Sequence, residues 1–245
     1  MKKKNKLVKT GALLLMLAVL LGGCSKRSSS EVDTIRENGV LQVAIVDTKS
    51  QYTSIKDGKP TGIEPDLAQY IAKALGVETG YQIYDKKKAL EALSSGEVDI
   101  ALGCINSSVS LNADYLLTTS YGKGYVYVVT KTGDYALTVG SFSDSSIGLE
   151  RNLDEETRGR FYEAEGIQIS DYSSAEDASK AILAGSIRAY VCYEDQAKQL
   201  LENPELQIQQ IANLEPEEFV IVTRKNSQTL ASGINTLIRQ FLEEE

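Results

Sequence analysis

Residues 62–104 read GIEPDLAQYIAKALGVETGYQIYDKKKALEALSSGEVDIALGC, and this stretch decides the fold class. Apolar residues recur at helical spacing from Leu67 to Leu75, with acidic residues before them and a glycine after them. A shorter apolar pattern over 89–93 predicts a second helix that also ends at a glycine. The run VDIALG at 98–103 is short and apolar, which predicts a buried strand. Helices that lead directly into a buried strand are typical of α/β units.

The same alternation continues along the chain. Helical patterns lie near 178–183 and 230–241, and a turn is predicted at 57–60. Strands separated by helices indicate mostly parallel sheets. Segments 89–104 and 178–193 echo each other, either because the architecture is duplicated or because such junctions commonly look alike. The further predicted strands are GVLQVAIV (39–46), YVYVVT (125–130), SSIGLE (145–150), IRAYVCY (187–193) and EFVIVTR (218–224).

The amino terminus has the layout of an export signal. Five lysines lie in the first ten residues, and the uncharged stretch Gly11–Gly23 follows them. This stretch is shorter than the roughly 20 residues that span a bilayer. We therefore predict a signal peptide at 1–23, with an amino-terminal membrane helix as the alternative.

The end of this segment resembles a bacterial lipobox. It reads Leu-Gly-Gly-Cys, which predicts a lipid on Cys24, although an ordinary export signal with an incidental cysteine is the other interpretation. The polar residues 24–31 are then a tether. The expected location is outside the cytoplasm, anchored to the bacterial cell membrane through Cys24.

Composition excludes several classes of function. The 245 residues include 26 basic and 34 acidic side chains and no His. Without His, the commonest general base and metal ligand are missing. The signal holds five lysines and no acid, so residues 24–245 carry 21 basic against 34 acidic residues, a charge of −13. This balance argues against nucleic acid as a partner. We expect no metal, no cofactor and no catalytic residue.

The order of these segments resembles the extracellular solute-binding proteins for polar amino acids, family 3. Its strongest part is GIEPDLAQYIAKALG followed by LSSGEVDIALG, and the likeness extends over residues 35–245. The resemblance implies a two-lobed periplasmic-binding-protein-like (type II) fold, in which each lobe is a mostly parallel sheet flanked by helices. Lobe 1 would hold 32–122 and 216–245, and lobe 2 would hold 123–215. A monomer that passes a small polar solute to an ABC permease is the expected assembly.

The sequence departs from this family where the ligand is held. Ser110 stands where the family has the Arg that grips the α-carboxylate, and Tyr193, followed by Glu194, stands where it has the Asp for the α-ammonium. The other two differences are Asn152-Leu153 for Gly-Thr, and Tyr52 or Thr53 for Phe. Losing one charged partner in a desolvated cleft costs about 2–5 kcal/mol. The fold and its closure are therefore expected to survive without the usual zwitterion as ligand.

Other side chains offer replacement chemistry. Arg151 could hold an anion from lobe 2, although a solvated loop Arg is the plainer interpretation. Glu194 could pair with a cation or simply begin a helix. Neutral hydrogen bonds come from Asn106, Ser107 and Ser110, and a helix cap accounts for at least one of them equally well. A partly aromatic wall or ordinary packing are the two interpretations of Tyr52, Tyr121 and Tyr193.

Two cysteines remain beyond the predicted lipid site. The resemblance places Cys104 and Cys192 near the cleft, one in each lobe. A disulfide that locks the cleft, a soft-metal site and two small buried residues are the three interpretations.

Three function classes stay open. The first is a solute-binding protein of an importer, and the second is a sensor or accessory lipoprotein for a membrane receptor. The third is a cleft enzyme such as a small-carboxylate dehydratase, in which Glu194 or Asp47 would have to act as acid or base.

Overall fold

The computed structural model describes residues 30–212 and 214–244. The predicted signal peptide, Cys24 and nearly all of the tether lie outside these residues. In the described part no helix is both long enough and apolar enough to cross a membrane. The strands are β1 (Val40–Val46), β2 (Ser54–Lys56), β3 (Lys59–Thr61), β4 (Glu78–Tyr84), β5 (Ile100–Leu102), β6 (Tyr115–Gly124), β7 (Val126–Lys131), β8 (Ser146–Glu150), β9 (Gln168–Tyr172), β10 (Ala189–Tyr193), β11 (Leu206–Gln210) and β12 (Glu217–Arg224). The helices are α1 (Glu31–Asn38), α2 (Ile63–Leu75), α3 (Lys86–Ser95), α4 (Val109–Asp114), α5 (Glu155–Tyr162), α6 (Ala175–Ala184), α7 (Glu194–Leu200) and α8 (Gln228–Glu244).

Two five-stranded sheets organise the molecule. The first has the order β4-β1-β5-β12-β6, in which β1 pairs in parallel with β4 and β5, and β12 runs antiparallel to both of its neighbours. The second has the order β9-β8-β10-β7-β11, with parallel pairs between β8, β9 and β10 and antiparallel pairs on both sides of β7. Four of the five strands in each sheet therefore point the same way.

The two sheets share one topology. In the first sheet the central strand β5 follows α3 and lies between β1 and the reversed strand β12. In the second sheet the central strand β10 follows α6 and lies between β8 and the reversed strand β7. The reversed strands β7 and β12 are the first strands after the chain passes from one sheet to the other, near Tyr125 and between Gln210 and Glu217. Two such passages give two lobes joined by a double connection, and the α/β prediction is confirmed.

Glycines set the ends of the helices that lead into the central strands. α3 ends at Gly96 with φ 79°, and α6 ends at Gly185 with φ 76°. This left-handed conformation is open to glycine and lets its N–H bond to the last carbonyls of the helix. The strands that follow, β5 and β10, occupy equivalent central positions. The echo between 89–104 and 178–193 thus corresponds to equivalent elements of the two lobes.

The central strands follow the sequence prediction, and the edge strands do not. β1, β5, β7, β8, β10 and β12 all fall on predicted apolar runs, and the turn at 57–60 lies in a hairpin between β2 and β3. The sequence pattern does not indicate the edge strands β4, β6, β9 and β11. β4 and β9 contain no buried residue, β11 contains two, and the longer β6 contains three. A half-exposed strand needs fewer apolar residues, so its pattern is weak.

Each sheet is packed on both faces. In lobe 1, α2 and α8 cover one face with residues such as Leu67, Ile71 and Ile234, and α3 covers the other. In lobe 2, Phe142 and Phe161 lie on one face and Ile182 on the other.

An ionic cluster ties the start of the described chain to lobe 1. Arg224, the last residue of β12, pairs with Glu31 of α1 and with Asp99, which lies 3.5 Å away. Its guanidinium also donates to the carbonyl of Val98 at 2.5 Å. α1 is therefore attached to the sheet by charge as well as by its buried Ile35.

Candidate functional site

A small cavity lies between the lobes, where the carboxyl ends of β1 and β5 face those of β8 and β10. We call it the cleft cavity, and its volume is about 30 Å³. A buried water needs about 10–15 Å³ by this measure, so the cavity has room for two or three waters. Its lobe 1 wall is Thr48, Ser50, Gln51, Tyr52, Cys104 and Phe219; its lobe 2 wall is Asn152, Tyr193, Glu194 and Asp195; and residues 123–125 of the connection close it.

Aromatic rings from both lobes meet in this wall. The Phe219 ring has its centroid 5.0 Å from that of Tyr52 and 5.8 Å from that of Tyr193, both in edge-to-face geometry. The Tyr52 hydroxyl donates to the carbonyl of Lys123 at 3.1 Å. Burial raises the pKa of Tyr52 to about 12. The ring therefore stays neutral and acts as an apolar face with a fixed donor.

Tyr193 joins the lobes directly. Its hydroxyl donates to the carboxylate of Glu217, which begins β12 in lobe 1 and is 3% exposed. The ring can come this close because Gly124 has no side chain. A Cβ on Gly124 would lie 2.4 Å from Phe219 and 2.8 Å from Tyr193. Desolvation raises the pKa of the Tyr193 hydroxyl, and the charge of Glu217 adds to the effect.

A buried carboxylate shapes the lobe 1 wall from behind. Glu64, in the first turn of α2, is fully buried and accepts the backbone N–H groups of Gly103 and Cys104 at 3.0 and 2.7 Å. The hydroxyls of Thr53 and Tyr121 also donate to it. Desolvation raises the pKa of Glu64, and these hydrogen bonds act in the opposite direction. The structure thus places Thr53 and Tyr121 behind the cavity wall, on this carboxylate.

Asp195 is an acidic residue of the cavity wall that the sequence pattern does not indicate. It lies in the first turn of α7, and its Oδ2 atom is buried with no hydrogen-bond partner in the described part of the chain. Burial raises the pKa of this carboxyl, while backbone N–H groups of Gln196 and, across the cleft, of Gln51 lower it. Its neighbour Glu194 also lines the cavity, but its carboxylate is paired with Lys198, which lies 2.8 Å away. A first-turn acid is an ordinary helix feature, so no sequence pattern indicates that this one faces the cleft.

A second buried acid supports the lobe 2 wall. Glu150, at the end of β8, is 2% exposed and accepts the backbone N–H of Asn152 at 2.6 Å. Burial raises its pKa to about 7, although the N–H of Asn152, the side chain of Gln196 and the charge of Arg158 act against the shift. Asn152 is thereby fixed at the edge of the cavity.

An open groove lies beside the cavity along the lobe boundary. Its volume is about 940 Å³, and it is lined by α3 and α4 on one side and by α5 on the other. Lys86 of α3 and Asp154, the N-cap of α5, are 3.5 Å apart across it. Asn152 belongs to the walls of both the cavity and the groove.

The ten residues predicted for ligand binding fall into four places. Four lie in the cavity wall, two are the buried residues described above, and the rest lie in the groove or in a 240 Å³ side pocket beside Glu217. Asn106 accepts the N–H of Glu218, and the Ser108 and Ser110 hydroxyls are 3.2 Å apart beside the cap of α4. By place, these are Tyr52, Asn152, Tyr193 and Glu194 in the cavity; Asn106, Ser110 and Arg151 in the groove; Ser107 in the side pocket; and Thr53 and Tyr121 behind the wall.

The two cysteines are free thiols. Cys104 and Cys192 are buried in the cores of different lobes, and desolvation raises both pKa values. A bridge between them is absent from the described chain. No group of three or more His, Cys, Asp or Glu side chains suited to a metal ion occurs within residues 30–212 and 214–244.

Comparisons with known proteins identify the family. The family model of bacterial extracellular solute-binding proteins, family 3, matches residues 41–245. The chain belongs to this family. The L-cystine-binding protein TcyJ of Escherichia coli K12 is 24% identical over 245 residues, which covers 95% of this chain and 90% of that protein. Holo ArgBP from T. maritima superposes with a TM-score of 0.71 at 20% identity, covering 86% and 93% of the two chains. The two-lobed family fold is thereby confirmed.

A second kind of relative is an enzyme. Membrane-bound lytic murein transglycosylase F of Vibrio cholerae is 36% identical over 123 residues, which are 49% of this chain and 23% of that protein. The chain therefore spans about a quarter of the length of this relative. Family membership agrees with an extracytoplasmic solute-binding role, and similarity to an enzyme over half the chain leaves a catalytic role open.

Proposed function

We propose that this solute-binding protein is a lipid-anchored receptor that captures a small polar solute by hinge closure and delivers it to an ABC importer. The supporting observation is the cleft cavity, whose wall is built from both lobes. A solute that contacts both walls prefers the closed arrangement, so binding and closure are one equilibrium. We assign 32–122 and 216–245 to lobe 1, 123–215 to lobe 2, 1–23 to the signal peptide and Cys24 to the lipid.

The ligand differs from the usual amino-acid zwitterion in this proposal. The single cationic side chain in the described cavity wall is Lys123, and its Nζ lies 3.6 Å from Glu218 with both side chains about half exposed. Tyr193 occupies the position where the family carries an Asp, and its hydroxyl is engaged by Glu217. Neither of the usual charged contacts is available, so affinity for ordinary amino acids is expected to be weak.

A sensor or accessory lipoprotein is the second candidate. It is favoured by the small cavity and by Tyr193, which joins the lobes through the protein's own side chains. Such a protein could present its closed form to a membrane receptor without a solute. The enzyme interpretation has less support, because no nucleophile paired with a base lines the described cavity.

A solute screen separates these candidates. The full chain, purified in mild detergent, is heated with amino acids, amines, small acids and short peptides. A solute at 100 times its Kd adds about 2.7 kcal/mol to the folded state and raises the Tm. The proposal expects one chemical class to do so, and uptake of that solute to depend on this gene. No shift with any class would refute solute capture and favour the sensor.

The lipid is tested separately. Cys24→Ala should move the protein from the membrane fraction to the medium or periplasm, whereas Cys192→Ala should leave it on the membrane. In denaturant the processed protein should expose two thiols, because the third sulfur carries the lipid. Three thiols in the membrane-bound protein would contradict lipidation.

A further inference from the structure

We infer that the cleft takes a protonated primary amine that carries no α-carboxylate, with its ammonium bound to the carboxylate of Asp195. This inference rests on the proposed solute capture and names the solute class. Three features of the cavity carry it: an acidic oxygen that is unpaired among the described residues, a set of aromatic faces, and a described wall without a free cation for an anion.

The unpaired oxygen calls for a donor. Asp195 Oδ2 is buried and has no hydrogen-bond partner among the described residues, although Asp195 is in the cavity wall. A buried acceptor without a donor is costly, and a charged one more so. Ammonium is the donor that satisfies the hydrogen bond and the charge together.

The same carboxylate removes the sites that an anion would need. Helix amino termini bind carboxylates through their free N–H groups. At the start of α7 the N–H groups of Asp195 and Gln196 interact with the Asp195 side chain itself, and Gln51 N–H approaches it from lobe 1. The nearby carboxylates of Glu64, Glu150 and Glu217 are all at least 97% buried. In the described cavity wall a ligand carboxylate would meet the acids Glu194 and Asp195, and the cation there, Lys123, is already paired with Glu218.

Aromatic faces suit the cation. Phe219 lies between Tyr52 and Tyr193, with ring centroids 5.0 and 5.8 Å away. An ammonium near such rings is attracted by the negative charge of the ring faces. Both tyrosine hydroxyls are already engaged, by Lys123 and Glu217, so the rings contribute faces rather than hydroxyl contacts.

The volume of the cavity limits the ammonium end of the solute, and the neighbouring groove has room for the rest of it. The cavity of about 30 Å³ has room for two or three waters, which suits –CH₂–NH₃⁺ rather than a trimethylammonium group. Asn152 is shared with the groove of about 940 Å³, so a tail can pass beside it and lie between α3 and α5. The expected solute is therefore a primary amine with an extended substituent.

Matched probes test the inference on the full chain. Titration calorimetry at pH 7.5 compares phenylalanine with phenethylamine and 3-phenylpropanoate, and leucine with isopentylamine and 4-methylpentanoate. Within each set the probes differ only in the amino and carboxyl groups. We expect the amine to bind at least ~30-fold more tightly than the zwitterion and the acid, because one desolvated charge partner changes affinity by at least that factor.

Variants locate the contact. Asp195→Asn should weaken amine binding at least ~30-fold, and Asp195→Glu, which keeps the charge, should retain the preference for amine over acid. The control is Asp177→Asn, the same change in the first turn of α6 at an exposed position, and it should leave the affinity within about twofold. Circular dichroism checks that each variant is folded, and the Glu variant carries the test if the Asn variant is not.

The outcomes separate the solute class from solute capture. Tighter binding of the zwitterion than of its amine overturns the inference and leaves capture intact. Equal amine affinity in folded Asp195→Asn and native protein overturns the role of Asp195. No measurable binding of any of the six probes also overturns the inference, and the wider solute screen described above then decides whether any solute is captured.

Discussion

Replacing Glu150 with Gln should make the protein more stable at neutral pH, although the carboxylate holds part of the cleft wall. Burial raises the pKa of Glu150 from its ordinary value of 4.5 to about 7. The folded state therefore binds the proton more tightly than the unfolded state does. By linkage, stability must fall as pH rises through this window.

The magnitude follows from the two pKa values. Each pKa unit corresponds to about 1.4 kcal/mol, so the charged Glu150 costs the folded state about 3 kcal/mol above pH 7. Below pH 4.5 the group is protonated in both states and the cost vanishes. A glutamine at this position would keep a carbonyl oxygen for the Asn152 N–H, which now lies 2.6 Å from the carboxylate. Glu150→Gln should thus match the native protein at about pH 4 and exceed it by about 3 kcal/mol at about pH 8.

Urea unfolding followed by far-ultraviolet circular dichroism measures this difference. Subtracting the native free energy of unfolding from that of the variant at each pH removes the contribution of the other acids. Glu202→Gln, an exposed change, is the control and should stay within about 0.5 kcal/mol at both pH values. A difference curve that is flat between about pH 4 and pH 8 would refute the argument, because Glu150 would then not change protonation differently in the two states.

Three further predictions concern a glycine pair, a tyrosine pair and one lysine. Gly62→Ala should lower the free energy of unfolding by about 3 kcal/mol or more, because φ is 118° and the new Cβ would lie 2.6 Å from two carbonyl oxygens. Gly96→Ala, with φ 79° and open space around the new Cβ, should lower it by about 1–2 kcal/mol. Tyr121→Phe removes a donor from a buried carboxylate and should cost about 1.5–3 kcal/mol, whereas Tyr190→Phe removes a buried hydroxyl without a partner and should be neutral or stabilising. Lys86→Met breaks the pair across the groove and should shift the lobes toward the open form by up to about 1 kcal/mol.

Thermal unfolding measures the glycine and tyrosine variants, and small-angle scattering at low salt measures Lys86→Met. Equal Tm values for the two glycine variants would contradict the steric argument. A Tyr190→Phe protein less stable than Tyr121→Phe would contradict the hydrogen-bond assignment. An unchanged radius of gyration in Lys86→Met would show that the pair does not hold the lobes.

The sequence predicts the central strands of each lobe but does not predict the edge strands. β1, β5 and β10 are buried on both faces, so their apolar runs are unmistakable, while β4 and β9 are half exposed and carry no such run. Tertiary contacts with the neighbouring strand, rather than local pattern, place these edge strands.

The same limit applies in the cleft. Tyr52 and Asn152 follow strands whose ends could be predicted, and Tyr193 is the last residue of such a strand. All three line the cavity, and their binding roles stay predictions. The sequence does not reveal that the hydroxyls of Thr53 and Tyr121 donate to Glu64, because this depends on how α2 packs against β5. Asp195 was missed for a related reason. Both Glu194 and Asp195 line the cavity, and only the packing around α7 decides that Glu194 pairs with Lys198 while Asp195 Oδ2 has no partner among the described residues.

The ionic cluster at Arg224 bears on how the receptor would sit at a surface. It fastens α1 to lobe 1 through Glu31, seven residues after the proposed lipid site. Seven extended residues reach at most about 25 Å, which is roughly one lobe diameter. Lobe 1 would therefore stay beside the bilayer, and closure would move lobe 2 relative to the membrane plane. A transporter in the same membrane would then detect the solute as a change in the outer half of the receptor.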